Sequence, residues 1–217
     1  MIAQSLQDIY SELPQGVRLV AVSKFHPVSE ILEAYAMGQR AFGENRPQEL
    51  AAKAVQLPQD IEWHFIGHLQ TNKLKLVLPY AHIVESVDTV HLLEAIEDWA
   101  ERNDRTIRIL LEVHIGAEET KQGFMPEDVL ELLEAAAAYP HIVFCGLMGM
   151  ASHTDDEDAI AADFTRIKAL FDRCRSEFPE LTEFNELSIG MSDDWRTAVA
   201  HGSTQVRLGT AIFGPRG

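Results

Sequence analysis

The sequence predicts an α/β fold: a single (β/α)8 barrel of the TIM type with an extra N-terminal helix. Short apolar or β-branched runs alternate with helix-period segments along the whole chain, the pattern of parallel βαβ units. The runs number eight, the count that closes such a barrel. The 217 residues suffice for it, at the short end of its usual size. A doubly wound open sheet is the alternative. Against it, no GxGxxG or GxxxxGK follows the first strand, and the glycine and polar signals follow many strands rather than one switch point.

A helix opens the chain at about 2–13. Residues 18–23 (RLVAVS) read as a strand, and 28–37 as a helix ending before Gly38. A short strand at 41–43 leads into a helix at 46–56. A strand at 63–66 leads into a helix at 70–77, stopped by Pro79, whose missing N–H cannot extend it. A strand at 82–87 precedes a long helix at 89–102. The clearest strand, 107–113, is followed by a loop and a helix at 127–138, and the next strand is 142–148. Thr154-Asp155-Asp156-Glu157 reads as a capping box, with Thr154 accepting from backbone and Glu157 reaching back, opening a helix to about 177. A strand at 187–189, a helix at 193–201 and a strand at 205–208 complete the set. No linker, low-complexity tract or repeat interrupts it, so residues 1–217 read as one domain.

Composition excludes several function classes. Hydrophobic residues make up 46% of the chain, enough for a sizeable core and against disorder. The formal charge of −16 repels nucleic acid, yet permits a small anion held by a few local cations. No apolar run approaches a membrane span, and the N-terminus lacks the basic start and apolar core of a secretory signal. Cys145 and Cys174 make no CxxC pair and no disulfide framework, so a reducing cytoplasm is expected.

In a barrel of this kind functional groups gather at the C-terminal ends of the strands. Lys24 follows the first strand with the parity of Val20 and Val22, so it projects into the mouth if that face points inward. A lysine in a low-dielectric mouth has a depressed pKa, and its neutral amine can attack a carbonyl to form a Schiff base; from strand position alone, a lysine snorkelling to water is the commoner arrangement. Strand seven runs through Ser188-Ile189-Gly190-Met191-Ser192 into a helix start, and strand eight ends in Arg207-Leu208-Gly209-Thr210. Glycine allows close backbone approach, helix N-termini offer free N–H groups, and these two loops are the recurring phosphate site of the architecture. Arg207 shares the inward parity of Gly209 and needs an acceptor, for example Glu44 at the barrel top. A lysine nucleophile beside a phosphate cradle suits pyridoxal 5′-phosphate (PLP), and equally a Schiff-base aldolase acting on a phosphorylated sugar.

Other signals are weaker. His64 and His68 are four apart across a strand end and a glycine, so they are not expected to share a metal. His114 ends strand five and His153 lies near the end of strand six; both are better placed to line the mouth, each more commonly as a satisfied hydrogen-bonding residue than as a catalyst. Asp155-Asp156-Glu157-Asp158 reads as a helix start favoured by the dipole. Lys121 lies in the loop after strand five, where it could dock or release a cofactor, although an ordinary surface lysine is the commoner arrangement.

The chain resembles the pyridoxal-phosphate-binding, YggS-type (PLP homeostasis protein) family. The matching stretches are Ala21-Val22-Ser23-Lys24, Phe42-Gly43-Glu44-Asn45, Trp63-His64-Phe65-Ile66-Gly67-His68-Leu69-Gln70-Thr71-Asn72-Lys73, Gly146-Leu147-Met148, Leu187 through Ser192, and Arg207 through Gly214. They run nearly end to end, and the 63–73 block is the most specific. The resemblance implies a fold-type III barrel, similar to the N-terminal domain of alanine racemase, with PLP as a Schiff base on Lys24. It implies phosphate contacts from Ser188, Gly190, Met191, Ser192, Gly209 and Thr210, Arg207 facing the pyridine nitrogen, and Asn45 near the ring. Phe25-His26 and Arg46-Pro47 depart from the family's usual residues, at the mouth rather than the anchor. The implied role is a PLP carrier or buffer in vitamin B6 and amino-acid homeostasis without robust turnover, a cytoplasmic monomer with PLP-dependent apoenzymes as partners. The alternative is a PLP-dependent amino-acid racemase. Racemases of this fold add a second domain that brings a catalytic tyrosine, whereas here the barrel is expected to be complete by about 213, so two-base racemisation is not expected.

Overall fold

Eight parallel strands close into a barrel in sequence order: β1 (Arg18–Val22), β2 (Ala41–Glu44), β3 (Glu62–Phe65), β4 (Ala81–Val87), β5 (Ile107–Val113), β6 (Ile142–Gly149), β7 (Glu186–Ser188) and β8 (Gln205–Leu208), with β8 pairing back to β1. The helices are α1 (Ile2–Glu12), α2 (Val28–Ala36), α3 (Pro47–Ala54), α4 (Leu74–Val77), α5 (Val90–Arg102), α6 (Pro126–Glu134), α7 (Glu157–Glu177), α8 (Trp195–Ala200) and α9 (Thr210–Phe213). The coordinates are a computed structural model describing residues 1–116 and 122–215; Lys121, read from sequence as more commonly an ordinary surface lysine than a cofactor-docking one, lies outside them. No helix among the described residues is long and apolar enough to cross a membrane.

The strands are apolar on their outer faces because the helices cover them. Phe42, Phe65, Ile109, Leu147 and Leu187 are buried against residues such as Leu50 of α3, Ile96 of α5 and Phe164 of α7. The leading helix buries Ile2, Leu6 and Ile9 and packs against α2 and α9. Inside the barrel the periodicity of two puts a different set together. Ile83, Leu110, Cys145 and Met148 form a small separate cluster. Cys145 and Met148 are three apart yet share this interior, because the β5–β6 register shifts between Ile109 and Leu110 and absorbs one residue. Cys174 belongs to the outer layer on α7, and both cysteines are free thiols.

Local capping differs from expectation at α7. Asp156, not Thr154, is the N-cap: its carboxylate accepts from the Asp158 and Ala159 N–H groups at 3.0 and 3.2 Å. Thr154 Oγ1 accepts from the Asp156 N–H, so it builds the preceding turn. The expected helix at 70–77 begins as a 3-10 turn, 127–138 ends as one, and 193–201 starts two residues later, at Trp195. The short α9 after strand eight was not expected.

Candidate functional site

The strands deliver their C-terminal ends to one cavity of about 380 Å³ at the barrel mouth. Lys24, Asn45, Met191, Ser192, Arg207, Gly209 and Thr210, all expected at the site, line it together with Val22, His26, Ile66, Gly67, Met148, Met150 and Asp193. Alternation along β1 and β8 thus brings both basic residues to the cavity. Lys24 follows Val22 into the cavity, and Arg207 pairs in register with Val20 and shares its inward face.

Arg207 is nearly inaccessible and needs several acceptors. One of its amino groups donates to the Ser188 carbonyl at 2.7 Å and to Ser188 Oγ at 2.6 Å, and the other to the Gly149 carbonyl at 3.1 Å. Its counter-ion is Glu85, at 3.9 Å. Glu44, the acceptor suggested by sequence, is on the other side of the wall. Its neighbours in β2, Ala41 and Gly43, are two-residue steps apart on the inner face, so Glu44 faces outward and bonds Lys53 at 2.7 Å.

Behind Arg207 lies a buried polar network that no sequence motif announced. Glu85 accepts from His64 Nδ1 at 2.5 Å, Ser188 Oγ at 2.6 Å and Gln205 Nε2 at 2.8 Å. Burial alone would raise its carboxyl, but the bonds from His64 and Ser188 and the charge of Arg207 outweigh this and hold it below the usual range. Burial pulls Arg207 below its ordinary value, opposed by Glu85, Glu112 and Asp194. Glu112, also inside the barrel, is pushed up to about 7, first by burial and then by Asp88. The available signal is a carboxylate near the C-terminal end of a strand, at the inward parity, as in AHIVESV and IRILLEV.

Two expected phosphate residues stand outside the cavity lining. Ser188 Oγ donates to Glu85 and accepts from Arg207 and from Gln205, at 3.0 Å for the latter, so its hydrogen-bonding capacity is committed inside the barrel. Gly190 has φ +96, and a Cβ there would meet Ala198 Cβ at 2.6 Å and Trp195 Cα at 3.0 Å. The seating of α8 by itself requires glycine at this position. The close approach at the mouth occurs instead at Gly67, where a Cβ would lie 2.2 Å from the Asn45 carbonyl oxygen.

The remaining groups divide clearly. Ser192 Oγ accepts from the Gly209 and Ala211 N–H groups at 3.3 and 3.4 Å, joining the two loops around one oxygen. Asn45 Oδ1 is buried and has no hydrogen-bond partner among the described residues. His26 lines the cavity, held by Glu30 at 2.7 Å and by stacking on Phe213. His64 faces Glu85 inside the barrel while the largely exposed His68 reaches Asp88 at 3.2 Å, so the two are in separate surroundings. His114 and His153, expected near the mouth, are not among the residues lining the cavity.

A closed (β/α)8 barrel with a lysine, an arginine and two polar loops at its C-terminal mouth defines a barrel of the alanine racemase type, and the family model "Alanine racemase, N-terminal domain" matches residues 1–217. Within that class, the chain belongs to the pyridoxal phosphate homeostasis protein family. It is 36% identical over 224 residues to the pyridoxal phosphate homeostasis protein of Pasteurella multocida, covering 99% of this chain and 96% of the relative. The solved structure of PipY from Synechococcus elongatus, without PLP, superposes with a TM-score of 0.93 at 37% identity, covering 99% of this chain and all of that one. The same protein with PLP bound superposes at 0.90 and 36% identity, with the same coverage. An alanine racemase from Clostridium difficile shares the fold alone, at 15% identity and a TM-score of 0.81; this chain covers 56% of it.

Proposed function

We infer that this chain binds PLP in the mouth cavity and carries or buffers it in vitamin B6 and amino-acid homeostasis, without robust catalytic turnover. The observation that carries the reading is the convergence of Lys24, Arg207 and Asn45 on one cavity, with Asn45 Oδ1 buried and unpartnered among the described residues. That donor set fits the cofactor, and the PLP-bound relative supports it. Lys24 would hold the aldehyde carbon through its Nζ, with loss of one water. Asn45 Oδ1 would accept from the ring hydroxyl, and Arg207 would face the ring nitrogen. Met191, Ser192, Gly209 and Thr210 would hold the phosphate, with Ser188 and Gly190 supporting from behind. When bound, PLP supplies a conjugated electron-withdrawing ring. Arg207 remains cationic and cannot accept a proton, so it disfavours protonation of the ring nitrogen and weakens that withdrawal. A weak sink suits a carrier better than a carbanion catalyst.

In this reading residues 1–217 act as one cofactor-binding domain, a monomer exchanging PLP with PLP-dependent apoenzymes. Two buried free thiols suit a reducing cytoplasm. The test is the visible spectrum of the protein with PLP, followed by borohydride reduction and mapping of the modified peptide. Label on Lys24, absent from Lys24→Ala, is expected; label elsewhere overturns the assignment. Steady amino-acid racemisation at about 1 per second or faster would overturn the carrier role.

A further inference from the structure

Lys24 occupies a turn whose two neighbouring peptide groups are both held from outside the cavity. The Ser23 carbonyl accepts from the His26 N–H at 3.0 Å, closing the turn, and from Lys53 Nζ at 2.8 Å. On the other side Phe25 adopts φ +69, a left-handed conformation that a non-glycine residue keeps only where its surroundings enforce it. Its N–H donates to Glu49 Oε1 at 2.7 Å. Lys53 and Glu49 stand one turn apart on α3 and bond each other at 2.7 Å. Lys53 also bonds Glu44, itself fully buried, at 2.7 Å, and the same Glu44 oxygen accepts from Ser23 Oγ at 2.6 Å.

Lys53 is 6% exposed, whereas lysine ordinarily keeps its ammonium in water. A buried ion pair is a poor way to stabilise a fold compared with apolar packing, and none of Glu44, Glu49 and Lys53 lines the cavity. What the cluster does achieve is geometric. Its bonds end on backbone atoms immediately before and after Lys24, so they fix the direction in which that side chain leaves the main chain.

We propose that Lys53, bridged to Glu44 and Glu49, is a positioning residue for Lys24, clamping the peptide groups on either side so that the amine is aimed into the cavity for reaction with an aldehyde. The proposal rests on the reading of the cavity as a PLP site. Lys53→Met alone would leave Glu44 buried and unpaired, so the informative protein is the double variant Glu44→Gln/Lys53→Met. Two quantities are compared with wild type: the rate at which PLP becomes borohydride-trappable on Lys24, and the affinity for pyridoxine 5′-phosphate, which keeps ring and phosphate but has an alcohol in place of the aldehyde. The expected result is a fall of about tenfold or more in trapping, with pyridoxine 5′-phosphate affinity unchanged. Unchanged trapping overturns the proposal, as does a parallel fall in both quantities, which would mean general loosening. If the double variant fails to fold, Glu49→Ala, which removes only the acceptor for the Phe25 N–H and the partner of Lys53, decides by the same pair of readouts. Wild-type protein that traps no PLP on Lys24 sinks the functional reading and this proposal together, whereas wild-type trapping with an unaltered variant sinks this proposal alone.

Discussion

Replacing Glu112 by glutamine removes a buried ionisable group while keeping its size. The wild-type carboxyl is raised from 4.5 to about 7 by burial and the charge of Asp88, against the opposing charges of Arg207 and His68 and a bond from Gln122. Each pH unit of displacement corresponds to about 1.4 kcal/mol, so the full effect is about 3 kcal/mol. Its sign follows from proton occupancy. The folded state keeps the Glu112 proton in a window where the unfolded state has lost it. This contribution is therefore fully present below about pH 4.5 and is lost as pH rises through about 7. Glutamine has no proton to lose. Urea unfolding of both proteins at about pH 5 and about pH 8.5 isolates the effect, because titrating groups remote from Glu112 cancel in the difference. Wild type is expected to lose about 3 kcal/mol relative to Glu112→Gln between the two pH values, with equal m-values. A stability difference that is the same at both would refute the burial argument for this carboxyl.

Glu85→Gln probes the network behind Arg207. An amide cannot accept at both oxygen positions, and the Ser188 hydroxyl cannot reverse, because its lone pairs already take Arg207 and Gln205. The loss of one or two buried bonds predicts a cost of about 2–4 kcal/mol, read as a lower thermal midpoint, and a change below about 0.5 kcal/mol would mean the network does not bear on stability. Gly67→Ala places a methyl 2.2 Å from the Asn45 carbonyl oxygen. It should cost about 1–3 kcal/mol or more and weaken PLP binding in a fluorescence titration, since Asn45 and Gly67 both line the cavity; unchanged stability and affinity would refute the close approach.

The order and type of the elements were legible in the sequence because each strand and helix buries one face, and that face imprints a period of two or 3.6 on the residues. Strand parity also placed Lys24 and Arg207 at the cavity, since alternation is a local property of extended chain. The same alternation turns Glu44 outward, and the counter-ion of Arg207, Glu85, comes from a strand across the barrel. At Ser188 and Gly190 packing adds what no local pattern records: one bonds Glu85 and Arg207, and the other lies against α8.

Local alternation along the chain suffices for the barrel, its mouth, and the lysine and arginine that face it. Closure of the barrel sets which acceptor neutralises Arg207, which glycine permits close approach, and what holds the Lys24 turn. Those contacts join residues from different strands and helices, Glu85 with Gln205 and Ser23 with Lys53 among them. No local period records a partner that closure of the barrel brings to its side.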